Sequence, residues 1–162
     1  MTLRIIIYGN SGSGKTTLAR QLQRQRSLTT LDLDNVAWEP DWGERRPLEA
    51  SIADLRRFIA QQEYWIIEGC YGNLIDVALK VCTDLRFLNP GIEACVANCR
   101  SRYSDWKKHQ RPEDERSPLE DLIPWVRNYE QRNDEFSLAR HRAIFDRFDG
   151  QKTEYNELPP PE

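Results

Sequence analysis

The sequence predicts an α/β fold, a parallel sheet of about five strands flanked by helices, and three observations lead to it. Short apolar runs suited to buried strands alternate with longer stretches whose apolar residues recur at helical spacing. A glycine-rich string, Gly9-Asn10-Ser11-Gly12-Ser13-Gly14-Lys15-Thr16, lies directly between the first such run and the first helical stretch, where open α/β sheets carry their ligand loops. The composition suits one soluble domain with a proper core: 162 residues, 39% apolar and 30% charged.

Taken in order, residues 3–8 form the first strand and residues 15–26 the first helix, with the glycine-rich loop between them. Residues 28–33 form a second short strand. Pro47 then opens a helix at the position where its missing N–H costs nothing, and Leu48, Ile52, Leu55 and Ile59 make the buried stripe with Phe58 beside it. Residues 64–67 read as the third strand, 73–80 as a helix, 85–88 as the fourth strand and 91–102 as another helix. Residues 103–118 break this rhythm: they are polar, hold Pro112 and Pro118, and carry Lys107, Lys108, His109 and Arg111, as a basic lid would. A helix over 119–132, bent or begun at Pro124, is followed by one over 138–148 with Ser137 as its N-cap. Residues 151–155 form an edge strand. Residues 1–156 thus make a single domain, and 157–162 a proline-rich tail.

Composition excludes several classes. No apolar run approaches the ~20 residues a membrane span needs, and residues 1–4 lead into a core strand rather than a signal peptide. A net charge of −3 disfavours broad nucleic-acid binding, which calls for a basic field. Cys70, Cys82, Cys95 and Cys99 form no C-x-x-C pair, and His109 and His141 are the only histidines, so reduced, buried thiols of a cytoplasmic protein are expected rather than a zinc site.

The loop string matches the G-x-x-x-x-G-K-[ST] phosphate-binding pattern at every position. Its glycines allow positive φ and close approach to phosphate oxygens, and successive N–H groups point inward beside the positive end of the next helix. Lys15 reaches the β- and γ-phosphates, and the Thr16 hydroxyl can ligate Mg²⁺. The expected ligand is therefore a nucleoside triphosphate with Mg²⁺, held by residues 9–16 together with Thr17. The guanine-reading Asn-Lys-x-Asp string and the Asp-x-x-Gly switch are both missing, which points away from GTPase switches.

The run from Gly9 to Thr17 resembles the loop of P-loop small-molecule and nucleotide kinases, and with it the three-layer P-loop NTPase fold. The segment Leu31-Asp32-Leu33-Asp34 is similar to the second-strand Asp-x-Asp of shikimate kinases. That likeness implies a magnesium-supporting role for Asp32 and a substrate-orienting or general-base role for Asp34. Here Asn35-Val36-Ala37-Trp38-Glu39 follows one residue out of step with the shikimate kinase pattern, and its Gly-Gly signature is missing. Trp65-Ile66-Ile67-Glu68-Gly69 resembles the acidic-Gly end of the third strand in adenylate-kinase-like enzymes, implying that Glu68 holds water on Mg²⁺ and that Gly69 lets the acceptor approach the backbone. The arginine that reads a nucleotide acceptor there is replaced by Cys70-Tyr71. The strongest likeness, across roughly residues 1–102, is to the small kinase-like proteins described as DNA topology modulators, which share Leu33-Asp34-Asn35-Val36-Ala37-Trp38 and Trp65–Gly69.

The same kinship implies a positive clamp over the γ-phosphate: Arg102 at the base of the lid, with Arg127 and Arg132 on the following helix. The adenine-stacking position falls on Asn98, with ATP favoured by resemblance. In the segment 38–46 before the Pro47 helix, Trp38 and Trp42 with Arg45 and Arg46 would give the acceptor an apolar wall and an anion clamp, unless the tryptophans simply cover the core; Trp38, Arg46 and Tyr71 are the expected contacts. The expected activity is an ATP- and Mg²⁺-dependent phosphotransferase acting on a small-molecule hydroxyl or phosphate, with Lys15, Asp34 and Arg102 as its catalytic groups. The alternatives are an ATP-binding regulatory or nucleic-acid-associated protein using the basic stretch 100–111, and a plain hydrolase. The sequence leaves the oligomeric state open.

Overall fold

A computed structural model describes residues 2–40, 43–107 and 119–161. Five strands form one parallel sheet in the order β2-β3-β1-β4-β5, with β1 (Arg4–Gly9), β2 (Thr29–Asp32), β3 (Trp65–Gly69), β4 (Asp84–Leu88) and β5 (Gln151–Tyr155). The central strand is buried on both faces, which is why its sequence is a continuous apolar run rather than an alternating one. Ile5 and Ile7 pack with Leu18, Ala19 and Ile66 on one face. Ile6 and Tyr8 pack with Trp65, Ile67, Leu85 and Phe87 on the other, as the two-residue period of a strand requires.

Helices cover both faces. α1 (Lys15–Gln25) follows the glycine loop, α2 (Asp34–Ala37) is a single turn after β2, and α3 (Leu48–Gln61) and α4 (Gly72–Leu79) flank β3 in sequence. Next come α5 (Ile92–Lys107), α6 (Leu119–Arg127) and α7 (Leu138–Arg147). Between α5 and α6, Cys95, Val96, Cys99 and Val126 make a small separate core. Cys95 and Cys99 are thus packing residues, and all four cysteines are free thiols. Among the described residues no helix is long and apolar enough to cross a membrane.

The element types agree with the sequence, and the differences lie at boundaries. β3 runs on to Gly69, two residues beyond its apolar stretch, because Glu68 pairs in register with Ile7 and Asp32 inside the sheet. α5 extends to Lys107, five residues into the segment expected as the lid; residues 108–118 of that segment, like Asp41 and Trp42, lie outside the described residues. α6 ends at Arg127 rather than at 132, with Pro124 inside it and turns following. α2 has no counterpart in the periodicity, being one turn long. The proline-rich tail returns to the loop helix, where Gln21 donates to the Pro160 carbonyl at 2.6 Å.

At the start of α7 the Ser137 hydroxyl accepts a hydrogen bond from the Arg140 N–H at 3.0 Å, satisfying one of the helix's otherwise unpaired donors. Ser137→Ala is expected to destabilise the protein by about 1 kcal/mol, read as a lower urea midpoint with unchanged m-value; an unchanged midpoint would show that the cap contributes nothing.

Candidate nucleotide and acceptor site

The glycine loop leaves the carboxyl end of β1 and is pinned from beneath. Gly12 and Gly14 have φ of 79° and 94°, conformations that cost other residues strain. At Gly12 a Cβ would also lie 2.3 Å from the Cys95 carbonyl oxygen, and at Gly14 2.4 Å from Pro159 Cδ. Side chains fix the rest of the loop. Asn10 accepts from the Ser11 N–H through Oδ1 at 2.9 Å and donates through Nδ2 to the Val126 carbonyl at 3.1 Å. Asn98 donates to the Gly12 carbonyl at 2.9 Å. The residue aligned with a base-stacking position therefore braces the loop. α1 begins at Lys15 with no acidic residue in its first turn, leaving its positive end available to an anion. Lys15 Nζ donates to the Asn10 carbonyl at 2.7 Å, and Thr17 lies half-buried in the same first turn.

Three carboxylates converge beside this loop. Thr16 donates its hydroxyl to Glu68 Oε1 at 2.8 Å, and Asp32 Oδ1 accepts from the Asp34 N–H at 2.9 Å. Glu68 is only 4% exposed. Burial pushes its carboxyl above the ordinary range; Lys15 opposes this shift and Asp32 adds to it. Burial also raises Asp32, and the charge of Asp34 raises it further. These groups suit a hard divalent cation, which takes oxygen ligands and keeps much of its water. Thr16, Asp32 and Glu68 fit Mg²⁺ in that sense: they offer a hydroxyl and two carboxylates whose burial outweighs the cations near them.

The part of the site where the sequence expects an acceptor is built from short elements. Asp34 opens α2, and the Tyr71 hydroxyl donates to its Oδ1. Trp38 Nε1 donates in turn to the Tyr71 oxygen at 2.9 Å. The Arg45 guanidinium lies over the Tyr71, Trp38 and Phe136 rings, with its carbon at 4.9, 5.6 and 5.9 Å from their centroids. One cavity of about 390 Å³ connects the two halves. Lys15, Thr16, Asp32 and Glu68 line it together with Asp34, Trp38, Arg45 and Tyr71, and Arg102 is also on its wall.

Several expected positions turn elsewhere. Arg46 donates to the Val36 carbonyl at 3.0 Å and pairs with Asp54 at 2.7 Å, so it straps α2 to α3, and of these two neighbours it is Arg45 that lines the cavity. Arg127 pairs with Glu93, which ties α6 to α5. Arg132 stacks on Trp125 at 4.2 Å and pairs with Asp134 at 2.9 Å, bracing a ring of the cavity wall without lining it. Gly69 does line the cavity, and packing also requires it to be small, since a Cβ would lie 2.8 Å from Leu33 Cβ. Phe136 and Trp125 line the cavity without any signal in the sequence beyond being aromatic.

Beneath the site, His141 is fully buried. Its Nε2–H donates to the Cys70 carbonyl at 2.9 Å, which leaves Nδ1 to accept from the Tyr129 hydroxyl at 2.7 Å. Burial lowers its pKa to about 4, so it is a neutral strut holding the residue that follows Gly69.

The raised Glu68 carboxyl has a consequence for stability. A carboxyl whose folded pKa exceeds its unfolded value binds protons preferentially in the folded state, so stability falls as pH rises from the ordinary carboxylate range towards the folded value. Glu68→Gln keeps an acceptor for Thr16 and removes the charge. It should raise the urea midpoint of the ligand-free protein at pH 7.5, with the gain disappearing below pH ~4; equal gains at both pH values would refute the charge explanation.

No protein-family model matches the chain, and no curated protein matches it in sequence. Solved structures do. A shikimate kinase from Bacteroides thetaiotaomicron superposes with a TM-score of 0.62 at 18% identity, covering 99% of this chain and 90% of that one. A shikimate kinase from Acinetobacter baumannii in complex with shikimate gives 0.58 at 16% identity, covering 99% and 86%. A gluconokinase from Sinorhizobium meliloti gives 0.50 at 13%, covering 88% and 93%. At these identities the likeness is one of architecture: the chain has the three-layer α/β fold of P-loop small-molecule kinases.

Proposed function

We propose that the protein is an ATP-dependent phosphotransferase that moves the γ-phosphoryl group to a small-molecule acceptor. The reading rests on one juxtaposition: a phosphate-binding loop and a hydrogen-bonded carboxylate, Asp34, share a single cavity with the buried Glu68 and the half-buried Asp32. A loop that served only to bind nucleotide would need no such carboxylate beyond that pair. The kinase fold of the structural neighbours supports the same reading.

In this reading the loop N–H groups and the α1 terminus hold the triphosphate, with Lys15 over its β- and γ-oxygens. The acceptor hydroxyl oxygen attacks the γ-phosphorus, its proton passes to Asp34, and the bridging oxygen leaves with ADP. Tyr71 holds Asp34 in the orientation that leaves its second oxygen for this proton. Mg²⁺, held through Thr16 and through water on Asp32 and Glu68, would supply charge neutralisation on the phosphate oxygens. Lys15 and Arg102 stabilise charge on the migrating group. The two arginines tied into ion pairs on α6 and after it, Arg127 and Arg132, have structural work and are not needed for this scheme.

The test is ADP formation, with parallel detection of a phosphorylated product, after incubation with a mixed pool of metabolites. Lys15→Ala should lower turnover at least about 100-fold. Asp34→Asn should cost a comparable factor in transfer while ATP affinity stays within about threefold. Undiminished transfer by Lys15→Ala would reject the proposal. Phosphate release that no acceptor increases would establish a hydrolase instead.

A further inference from the structure

The acceptor half of the cavity is walled by rings. Tyr71 and Phe136 meet edge to face at 5.3 Å and 75°, Trp125 and Phe136 at 5.6 Å and 60°, and Trp38 closes the set. Its polar atoms are largely spent on one another: the Trp38 N–H on the Tyr71 oxygen, and the Tyr71 hydroxyl on Asp34 Oδ1. Two polar features stay open among the described residues. One is the second carboxylate oxygen of Asp34. The other is the Arg45 guanidinium, which stacks on three rings with no carboxylate paired to it.

This inventory matches a particular ligand chemistry. A flat ring fits between aromatic walls, where offset and edge-to-face contacts are favourable. Asp34 has capacity for one hydroxyl, and Arg45 can take one anion in charge-assisted hydrogen bonds. The guanidinium lies over the ring of Tyr71, whose own hydroxyl touches Asp34, so anion and reacting hydroxyl sit about one ring's breadth apart. Additional hydroxyls would face rings and lose their water without replacement, at about tenfold or more in affinity each. With the triphosphate end occupying part of the 390 Å³, one ring is the size that fits.

We infer that the acceptor is a planar aromatic or heteroaromatic alcohol bearing a single anionic group, carboxylate or phosphate, and not a polyhydroxy acid. The inference rests on the phosphotransferase reading above. In the step, the ring-borne hydroxyl oxygen bonds to the γ-phosphorus of ATP, its proton goes to Asp34, and ADP departs with the bridging oxygen and its electron pair. Arg45 takes no part in bond making; it sets specificity.

The test uses the full chain with ATP and Mg²⁺ and five probes: 3-(hydroxymethyl)benzoate, 3-(hydroxymethyl)phenyl phosphate, neutral benzyl alcohol, shikimate and gluconate. Binding is followed by quenching of tryptophan fluorescence, since Trp38 and Trp125 line the cavity, and transfer by ADP release. At least one planar anion should bind ten or more times more tightly than either polyhydroxy acid, and the better of the two identifies the anion. Arg45→Met should collapse the planar anion's advantage over benzyl alcohol, and Arg45→Lys should restore part of it. Equal or tighter binding of shikimate or gluconate, or failure of both planar anions to bind at millimolar concentration, overturns the inference. Binding of a planar anion without ADP formation upholds the ligand class and removes the phosphotransferase reading. Turnover of a polyhydroxy acid does the reverse.

Discussion

Negative charge collected at the carboxyl edge of the sheet is the constraint from which the rest of the site follows. Asp32 and Glu68 are register partners at the ends of β2 and β3, and Asp34 is two residues away at the start of α2. Burying carboxylates without pairing costs stability, and the cost is visible in the upward shifts of Asp32 and Glu68. Lys15 is the cation that opposes both shifts, with Arg102 also lowering Asp32. Lys15 and Arg102 offset only part of the burial cost at Asp32 and Glu68, and a metal–triphosphate pair would relieve the remainder. Strain of this sort is tolerable where binding removes it.

Loop geometry and the pairing of α5 with α6 are tied together through the same neighbourhood. The glycine loop is held by Asn98 on α5 and, through Asn10, by Val126 on α6. These are the two helices that flank residues 108–118 in sequence. Any shift of α5 against α6 therefore acts on the loop backbone directly, through the Gly12 carbonyl and the Asn10 side chain. Close packing sharpens this coupling, because Gly12 has no room for even a methyl group beneath Cys95.

What was legible in the sequence divides along physical lines. The strands were readable because burial on both faces demands apolar runs, and the loop because backbone geometry demands glycine at Gly12 and Gly14. Asp32 and Glu68 were readable because strand ends point at the ligand edge. Arg45 and Arg46 were not separable. Adjacent side chains in an extended segment point to opposite sides, and the phase is set by the bridge between Trp38 and Arg45, a pairing that no local pattern announces. The partners of Arg127 and Arg132 were not readable for a related reason: a helix or turn arginine pairs with whichever carboxylate is nearest, here Glu93 and Asp134. Phe136 carried no signal because it sits in a turn, where apolar periodicity does not exist.

The same division explains why donor chemistry is easier to infer than acceptor chemistry. The donor half is made of main-chain N–H groups, a helix terminus and one lysine, features that any triphosphate satisfies and that one short motif encodes. The acceptor half is made of side chains from a single-turn helix, a bridge and a turn: Asp34, Trp38, Arg45, Tyr71 and Phe136. They come from three stretches of the chain, residues 34–45, Tyr71 and Phe136, so their convergence is a tertiary fact. Their chemistry is specific for that reason, since Tyr71 can hold Asp34 and also carry the Arg45 guanidinium only when β3 and the segment after β2 are in register. Shared architecture with other kinases then says little about which acceptor is used, and the polar atoms left open in this half of the cavity say more.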